Sequence, residues 1–142
     1  FKGKMEKSGM SKSVSLDAYM VRRPVKVEQN ATILDAVAVI IEQQVSGVCV
    51  VDDNDKLVGV LSELDCLRAI VEKIYQKGEP DAGYVHEVMT ANVETNRADE
   101  DIVSVAASML DHKHRRRPIV DGDRLIGQVT CRQLLSAIKS FV

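Results

Sequence analysis

Gly59-Val60-Leu61-Ser62-Glu63-Leu64-Asp65 is the stretch on which the fold turns. Its apolar half reads as the end of a strand. A hydroxyl and two carboxylates follow, and Leu64, Leu67, Ile70, Val71 and Ile74 then recur at helical spacing, which predicts an amphipathic helix ending near Gly78. Ser62 stands at the N-cap, and the helix start offers unpaired backbone N–H groups and the positive end of its dipole to an anion. Asp65 lies one turn on and faces the same side. A carboxylate there suits a vicinal diol, because each charge-assisted bond from a hydroxyl contributes roughly 1.5–3 kcal/mol before desolvation. Gly59 permits a close backbone approach.

Working outward, Lys56 to Leu61 is the return arm of a hairpin closed by the polar turn Asp52-Asp53-Asn54-Asp55. The incoming arm, Val48-Cys49-Val50-Val51, is a continuous apolar run and predicts a strand buried on both faces. Before it, Thr32 caps a helix whose apolar positions are Ile33, Ala36, Val37, Ile40 and Ile41, and Val25-Lys26-Val27 alternates as a short strand. Ser15 caps a short turn over Leu16 to Met20, stopped by Arg22-Arg23-Pro24. Residues 1–13 are rich in Lys, Ser and Gly and read as a disordered tail or the remnant of a cloning leader.

The pattern then restarts. Leu16-Asp17-Ala18-Tyr19-Met20 is echoed by Val85-His86-Glu87-Val88-Met89, and the 69-position offset from Met20 to Met89 also carries Ile33 to Ile102 and Val51 to Val120. After a turn one residue shorter the offset becomes 68, which takes Gly59 to Gly127, Ser62 to Thr130 and Asp65 to Gln133. A register this long predicts two β-α-β-β-α repeats, at 14–76 and 85–142, joined by a linker at 77–84 that holds Gly78, Pro80 and Gly83. The expected class is α/β (α+β): each repeat forms a small sheet with helices on one side, and the bare faces pack sheet to sheet about a pseudo-twofold axis. The cleft between the repeats is then the expected ligand site.

Composition narrows the function. Lys and Arg total 19 against 21 Asp and Glu, so no overall field draws the chain to nucleic acid or an anionic membrane. Apolar runs are too short to span a bilayer and no secretory pattern opens the chain, which predicts a cytoplasmic protein. Cys49, Cys66 and Cys131 are widely spaced and lie in apolar or helical contexts; they read as buried thiols, and metal-ligand spacing is absent. No nucleophile–base pair or carboxylate dyad is found, so a catalytic role is not expected. The longest basic run is His112-Lys113-His114-Arg115-Arg116-Arg117, whose counterpart Gln43-Gln44-Val45-Ser46-Gly47-Val48 carries no charge. It reads as a solvated helix end, or as a loop that brings Arg115 or Arg116 to a phosphate near Ser62.

Ser46-Gly47-Val48-Cys49-Val50-Val51-Asp52 with Lys56 to Asp65, and Arg117-Pro118-Ile119-Val120-Asp121 with Leu125 to Thr130, resemble a tandem pair of cystathionine-β-synthase (CBS) domains, the Bateman module. The resemblance covers about Ser15 to Val142. It implies a regulatory, ligand-sensing module that binds an adenosine-containing ligand (AMP, ADP, ATP or S-adenosylmethionine), requires no cofactor, and controls an associated protein that the sequence does not identify. It further implies that Ser62 and Asp65 contact ribose and phosphate together with Arg115 and Arg116, closed by the stretch from Met89 through Val93 to Thr95. A second, weaker cleft would use Thr130 and Gln133 with Ser46 and Gly47, weaker because Gln133 stands where the family motif carries a carboxylate. Family members pair their modules into a disc, so a homodimer is implied. The alternative from another class is a nucleic-acid or polyanion binder using residues 112–117; near-neutral charge and few aromatics count against it.

Overall fold

A computed structural model describes residues 14–141; the expectation for residues 1–13 lies outside them. The architecture is mixed α/β, and the chain divides into two compact units. The Asp65 unit comprises Pro24–Val93 with Asp123–Leu125. The Gln133 unit comprises residues 14–23, Glu94–Gly122 and residues 126–141.

In the Asp65 unit, β1 (Lys26–Glu28), α1 (Ile33–Gln43), β2 (Gly47–Val51), β3 (Leu57–Ser62) and α2 (Glu63–Ile70) follow in that order, with a π-helical turn over Val71–Gln76. Parallel β1 and antiparallel β3 flank β2, which is buried along its whole length as its apolar run predicts. Thr32 caps α1 by accepting from the Asp35 N–H, and Gln44 closes it in the left-handed conformation at φ 56°. At the hairpin turn Asp52 Oδ1 accepts from the N–H groups of Asn54 and Lys56.

The Gln133 unit repeats this plan at the register the sequence implies. Its α4 (Ile102–His112), capped by Asp101 and closed by left-handed Lys113 at φ 57°, matches α1 residue for residue. Then come β4 (Arg116–Asp121), β5 (Arg124–Thr130), whose first two residues belong to the Asp65 unit, and α5 (Cys131–Lys139). The counterpart of β1 is reduced to one parallel bridge, Asn96 to Ile119, the same register as Val27 to Val50.

The compact units exchange the leading segments of the sequence repeats. The 3-10 helix Leu16–Ala18 lies in the Gln133 unit, where Leu16 and Asp17 donate to the carbonyls of Glu100 and Ala98. Its repeat-related partner, α3 (Val85–Val88), lies in the Asp65 unit, where Val85 and His86 donate to Ala31 and Gln29. Each leader then crosses a strand: Thr90 and Val60 exchange both backbone hydrogen bonds (2.9 and 3.0 Å), as do Val21 and Gln128 (2.8 and 2.9 Å). This crossing explains the two junction glycines. A Cβ on Gly59 would lie 2.7 Å from Met89 Sδ and 2.9 Å from the Thr90 carbonyl oxygen; on Gly127 it would lie 2.7 Å from the Val21 carbonyl oxygen. The close approach is therefore made by the chain's own backbone.

Two expectations are corrected. The amphipathic pattern of α2 predicts a buried face through Leu64 and Leu67, yet they are 61% and 58% exposed, while Cys66 and Ala69 are buried. The small residues Cys66 and Ala69 join the apolar core of the unit, and the leucines point away. Cys49 and Cys66 are buried as expected, but Cys131 is exposed, because it opens α5 at the rim of its unit. Among the described residues no helix is long and apolar enough to cross a membrane, and no group of three or more His, Cys, Asp or Glu is placed to hold a metal ion.

Candidate functional site

The strand β3 delivers Ser62 in extended geometry (φ −98°, ψ 160°) to the start of α2. Its hydroxyl accepts from the Asp65 N–H at 3.1 Å, and Asp65 Oδ2 accepts from the Ser62 N–H at 3.0 Å, a reciprocal capping box. The Glu63 N–H donates to the Ser46 carbonyl at 2.9 Å. The N–H groups of Ser62, Glu63 and Asp65 are thus all satisfied within the unit, which corrects the expectation that the helix start offers them unpaired. What remains for a ligand is side-chain chemistry. The Asp65 side chain is 23% exposed, and its Oδ1 lies 3.5 Å from Arg68 Nη1, whose side chain is itself well exposed.

Within this unit the junction gathers Met89 and Val93, expected here, and also Ser46 and Gly47, which the sequence reading set with Thr130 and Gln133. Gly47 pairs with Ser62 across β2 and β3, and Ser46 adjoins Glu63. Half-buried Met89 is set against Gly59 by the Thr90–Val60 crossing, and half-buried Val93 belongs to the same unit. An open depression of about 410 Å³ beside Ser46 is lined by Ile40, Ile41, Gln44, Val45 and Glu63, but by neither Ser62 nor Asp65.

The Gln133 unit carries the related junction. Gln133 Oε1 accepts from the Thr130 N–H at 2.8 Å, so the amide takes over the backbone bond that Asp65 makes, without the charge. The Cys131 N–H donates to the Arg115 carbonyl at 3.0 Å, the counterpart of Glu63 to Ser46. Within the units, therefore, Arg115 and half-buried Arg116 accompany Thr130 and Gln133, while Ser46 and Gly47 accompany Ser62 and Asp65.

The basic run does not form one patch. Arg115 is exposed, but Arg117 is 1% exposed and turned into the unit. Its Nη1 donates to Asn96 Oδ1 (2.7 Å) and Ser108 Oγ (3.1 Å), its Nη2 lies 3.2 Å from His114 Nδ1, and its buried Nε has no partner. Burial is the main cause that lowers the Arg117 pKa, opposed by Glu94 and Glu100. Burial also lowers the His114 pKa, reinforced by Arg117 and His112 and opposed by Glu94. Sequence reading missed this network, though the repeat register contains it. Val27, Val39, Val45 and Val48, all in the apolar core of the Asp65 unit, become Asn96, Ser108, His114 and Arg117.

Comparison with known proteins places both repeats in one family. The family model described as CBS domain matches twice, at residues 14–72 and 85–140. Among curated proteins, inosine-5'-monophosphate dehydrogenase of Methanocaldococcus jannaschii is 32% identical over 124 residues, 87% of this chain and 23% of that enzyme. L-aspartate semialdehyde sulfurtransferase of the same organism is 26% identical over 134 residues, 93% of this chain and 25% of the relative. The chain spans less than half the length of the curated relatives it matches first. Among solved structures, CBSX2 in complex with AMP aligns with TM-score 0.79 and 27% identity, covering 89% of this chain and 97% of that one. The structure of the CBS-pair protein CBSX2 from Arabidopsis thaliana aligns with TM-score 0.78 and 28% identity, over 92% and 97% of the two chains.

Proposed function

The chain belongs to the CBS domain family, with two copies in tandem, and on that premise we propose that it is a regulatory module that senses an adenosine-containing ligand. Ser62 and Asp65, with Met89 and Val93, take the ribose and adenine; Arg115 and Arg116 supply guanidinium groups to a phosphate or carboxylate. Thr130 and Gln133, with Ser46 and Gly47, form a second and weaker set. The observation that carries this reading is the partly exposed Asp65 carboxylate, fixed by its own helix cap and retained where the repeat has an amide. The AMP complex of CBSX2 supports the ligand class. Binding would shift the population of arrangements that a regulated protein reads.

A thermal-shift panel of AMP, ADP, ATP, S-adenosylmethionine and NAD tests it. A ligand present at about a hundredfold its Kd stabilises the folded state by about 2.7 kcal/mol, which raises the melting temperature of a chain this size by roughly 5–10 °C. No shift with any adenosyl ligand at millimolar concentration would reject the proposal.

The module is proposed to act as a homodimer. Ile41, Leu64 and Leu67 are 70%, 61% and 58% exposed on α1 and α2, and Leu110 and Leu135, the repeat-related residues of Ile41 and Leu67, are exposed on α4 and α5. Apolar surface of this kind on both units fits a second copy presenting the same helices. The double change Leu64→Glu and Leu67→Glu is expected to convert the dimer to monomer in analytical ultracentrifugation while leaving the fold intact. An unaltered sedimentation coefficient would place the interface elsewhere.

A further inference from the structure

We infer that Arg117 is a positioning residue for Arg115 and Arg116, acting through a contact with His114 that exists only while the imidazole is neutral. A guanidinium has donors and no acceptor, so the 3.2 Å contact from Arg117 Nη2 requires a lone pair on His114 Nδ1. That assigns His114 the neutral form with its proton on Nε2. Protonation places a hydrogen on Nδ1, and the contact becomes donor against donor and cation against cation.

The rest of the network holds Arg117 in place for this task. Asn96 Oδ1 accepts from Arg117 while Asn96 Nδ2 donates to Glu100 Oε1 at 3.0 Å, so the amide cannot turn away. Ser108 accepts from Arg117 through its hydroxyl, and its carbonyl accepts from His112 Nδ1 at 2.8 Å. The groups facing His114 are Arg117 from β4, His112 from the end of α4 with ring centroids 5.3 Å apart, Glu94 from the segment before Asn96, and the Cys131 thiol from α5, which donates to the His114 carbonyl at 3.8 Å. Burial first, and then the Arg117 guanidinium, disfavour a proton on His114 in the fold, with Glu94 opposing them.

His114 also ties the loop together. Its N–H donates to the Met109 carbonyl, and the Arg115 carbonyl accepts from the Cys131 N–H. Releasing His114 therefore disturbs the backbone of Arg115 and Arg116 and the start of α5 at once. In the Asp65 unit the matching loop carries Val45, packed against the apolar core, and has no titrating side chain at that place. The sign follows from the lowered pKa. The folded state keeps His114 neutral while the unfolded chain takes up a proton below the ordinary value near 6.5, so this stabilisation is complete above that pH and is lost as pH falls through the folded value.

The consequence for ligand binding rests on the reading in the previous subsection, so the test has two arms. In the first, amide and imidazole NMR follow the ligand-free chain from about pH 8 to 5, the range that spans histidine titration. The amides of Arg115, Arg116 and Cys131 are expected to shift together with the His114 ring, at a midpoint below that of histidine in the urea-unfolded chain. In His114→Asn, which keeps an acceptor for Arg117 but cannot titrate, and in His114→Val, which copies Val45, those amides should stay still. Equal movement in wild type and His114→Asn would overturn the inference. In the second arm, AMP affinity of the wild type should fall roughly tenfold more than that of His114→Asn between about pH 7.5 and 5.5, a factor of ten per pKa unit of coupling. The free AMP phosphate titrates identically in both assays, so the difference between the two proteins is what is read. Identical pH profiles would overturn the positioning role. If AMP binds at no pH, the adenosyl reading fails, while the amide titration still decides whether His114 holds the loop.

Discussion

Arg117→Ala is expected to lower the unfolding free energy by roughly 2–4 kcal/mol, measured by urea denaturation near neutral pH. The side chain is 1% exposed, and truncating it leaves Asn96 Oδ1, Ser108 Oγ and His114 Nδ1 without their donor in a space that no longer holds atoms. Relief from burying a guanidinium whose Nε has no partner offsets part of the loss. The decisive comparison is within the chain. Replacing the set together, Asn96→Val, Ser108→Val, His114→Val and Arg117→Val, copies the packing of Val27, Val39, Val45 and Val48. It is expected to recover most of the stability, because removing both sides of a buried polar contact costs far less than removing one. A loss below about 0.5 kcal/mol for Arg117→Ala, the range of an ordinary surface change, would show that the network contributes nothing to the fold.

Asp65→Asn is expected to weaken adenosyl-ligand binding by more than a factor of ten in titration calorimetry, while Gln133→Ala changes it little. Asparagine keeps an oxygen for the Ser62 N–H, as Gln133 does for Thr130, so the helix cap survives. What is lost is charge. A carboxylate oxygen accepting from a ribose hydroxyl contributes about 1.5–3 kcal/mol, and a tenfold change in affinity is about 1.4 kcal/mol. Oδ1 is the oxygen available for this, since its 3.5 Å contact is with an arginine side chain that is 58% exposed and free to swing aside. Asp65→Ala adds the loss of the capping bond, so a greater effect of alanine on stability than on affinity would separate the two roles. Equal tolerance of Asp65→Asn and Gln133→Ala would reject Asp65 as the ribose ligand.

Much of the fold was legible because it is written twice. The offset that relates Ile33 to Ile102 also relates the caps Thr32 and Asp101 and the left-handed closures Gln44 and Lys113. The candidate junction was legible for the same reason, since Ser62 and Asp65 could be set against Thr130 and Gln133. Helical periodicity did not say which way α2 faces. Leu64 and Leu67 form an apolar stripe, but Cys66 and Ala69 are the residues that enter the core, and only packing distinguishes a core stripe from an exposed one. Nor did the run of six basic residues say that its last member turns inward; the counterpart held that information, because Val48 is buried and Arg117 takes the same strand position.

The sequence by itself determined the repeat, its element order, its caps and the place where β3 meets α2, because these depend on local spacing, side-chain hydrogen bonding and internal comparison. Tertiary structure alone decided that the leading segments change places between the compact units, that Gly59 and Gly127 make room for crossing backbone, and that Arg117 is held by Asn96, Ser108 and His114. Those contacts join residues far apart in the chain, and nothing in local periodicity specifies which distant partner a backbone group or a buried charge will meet.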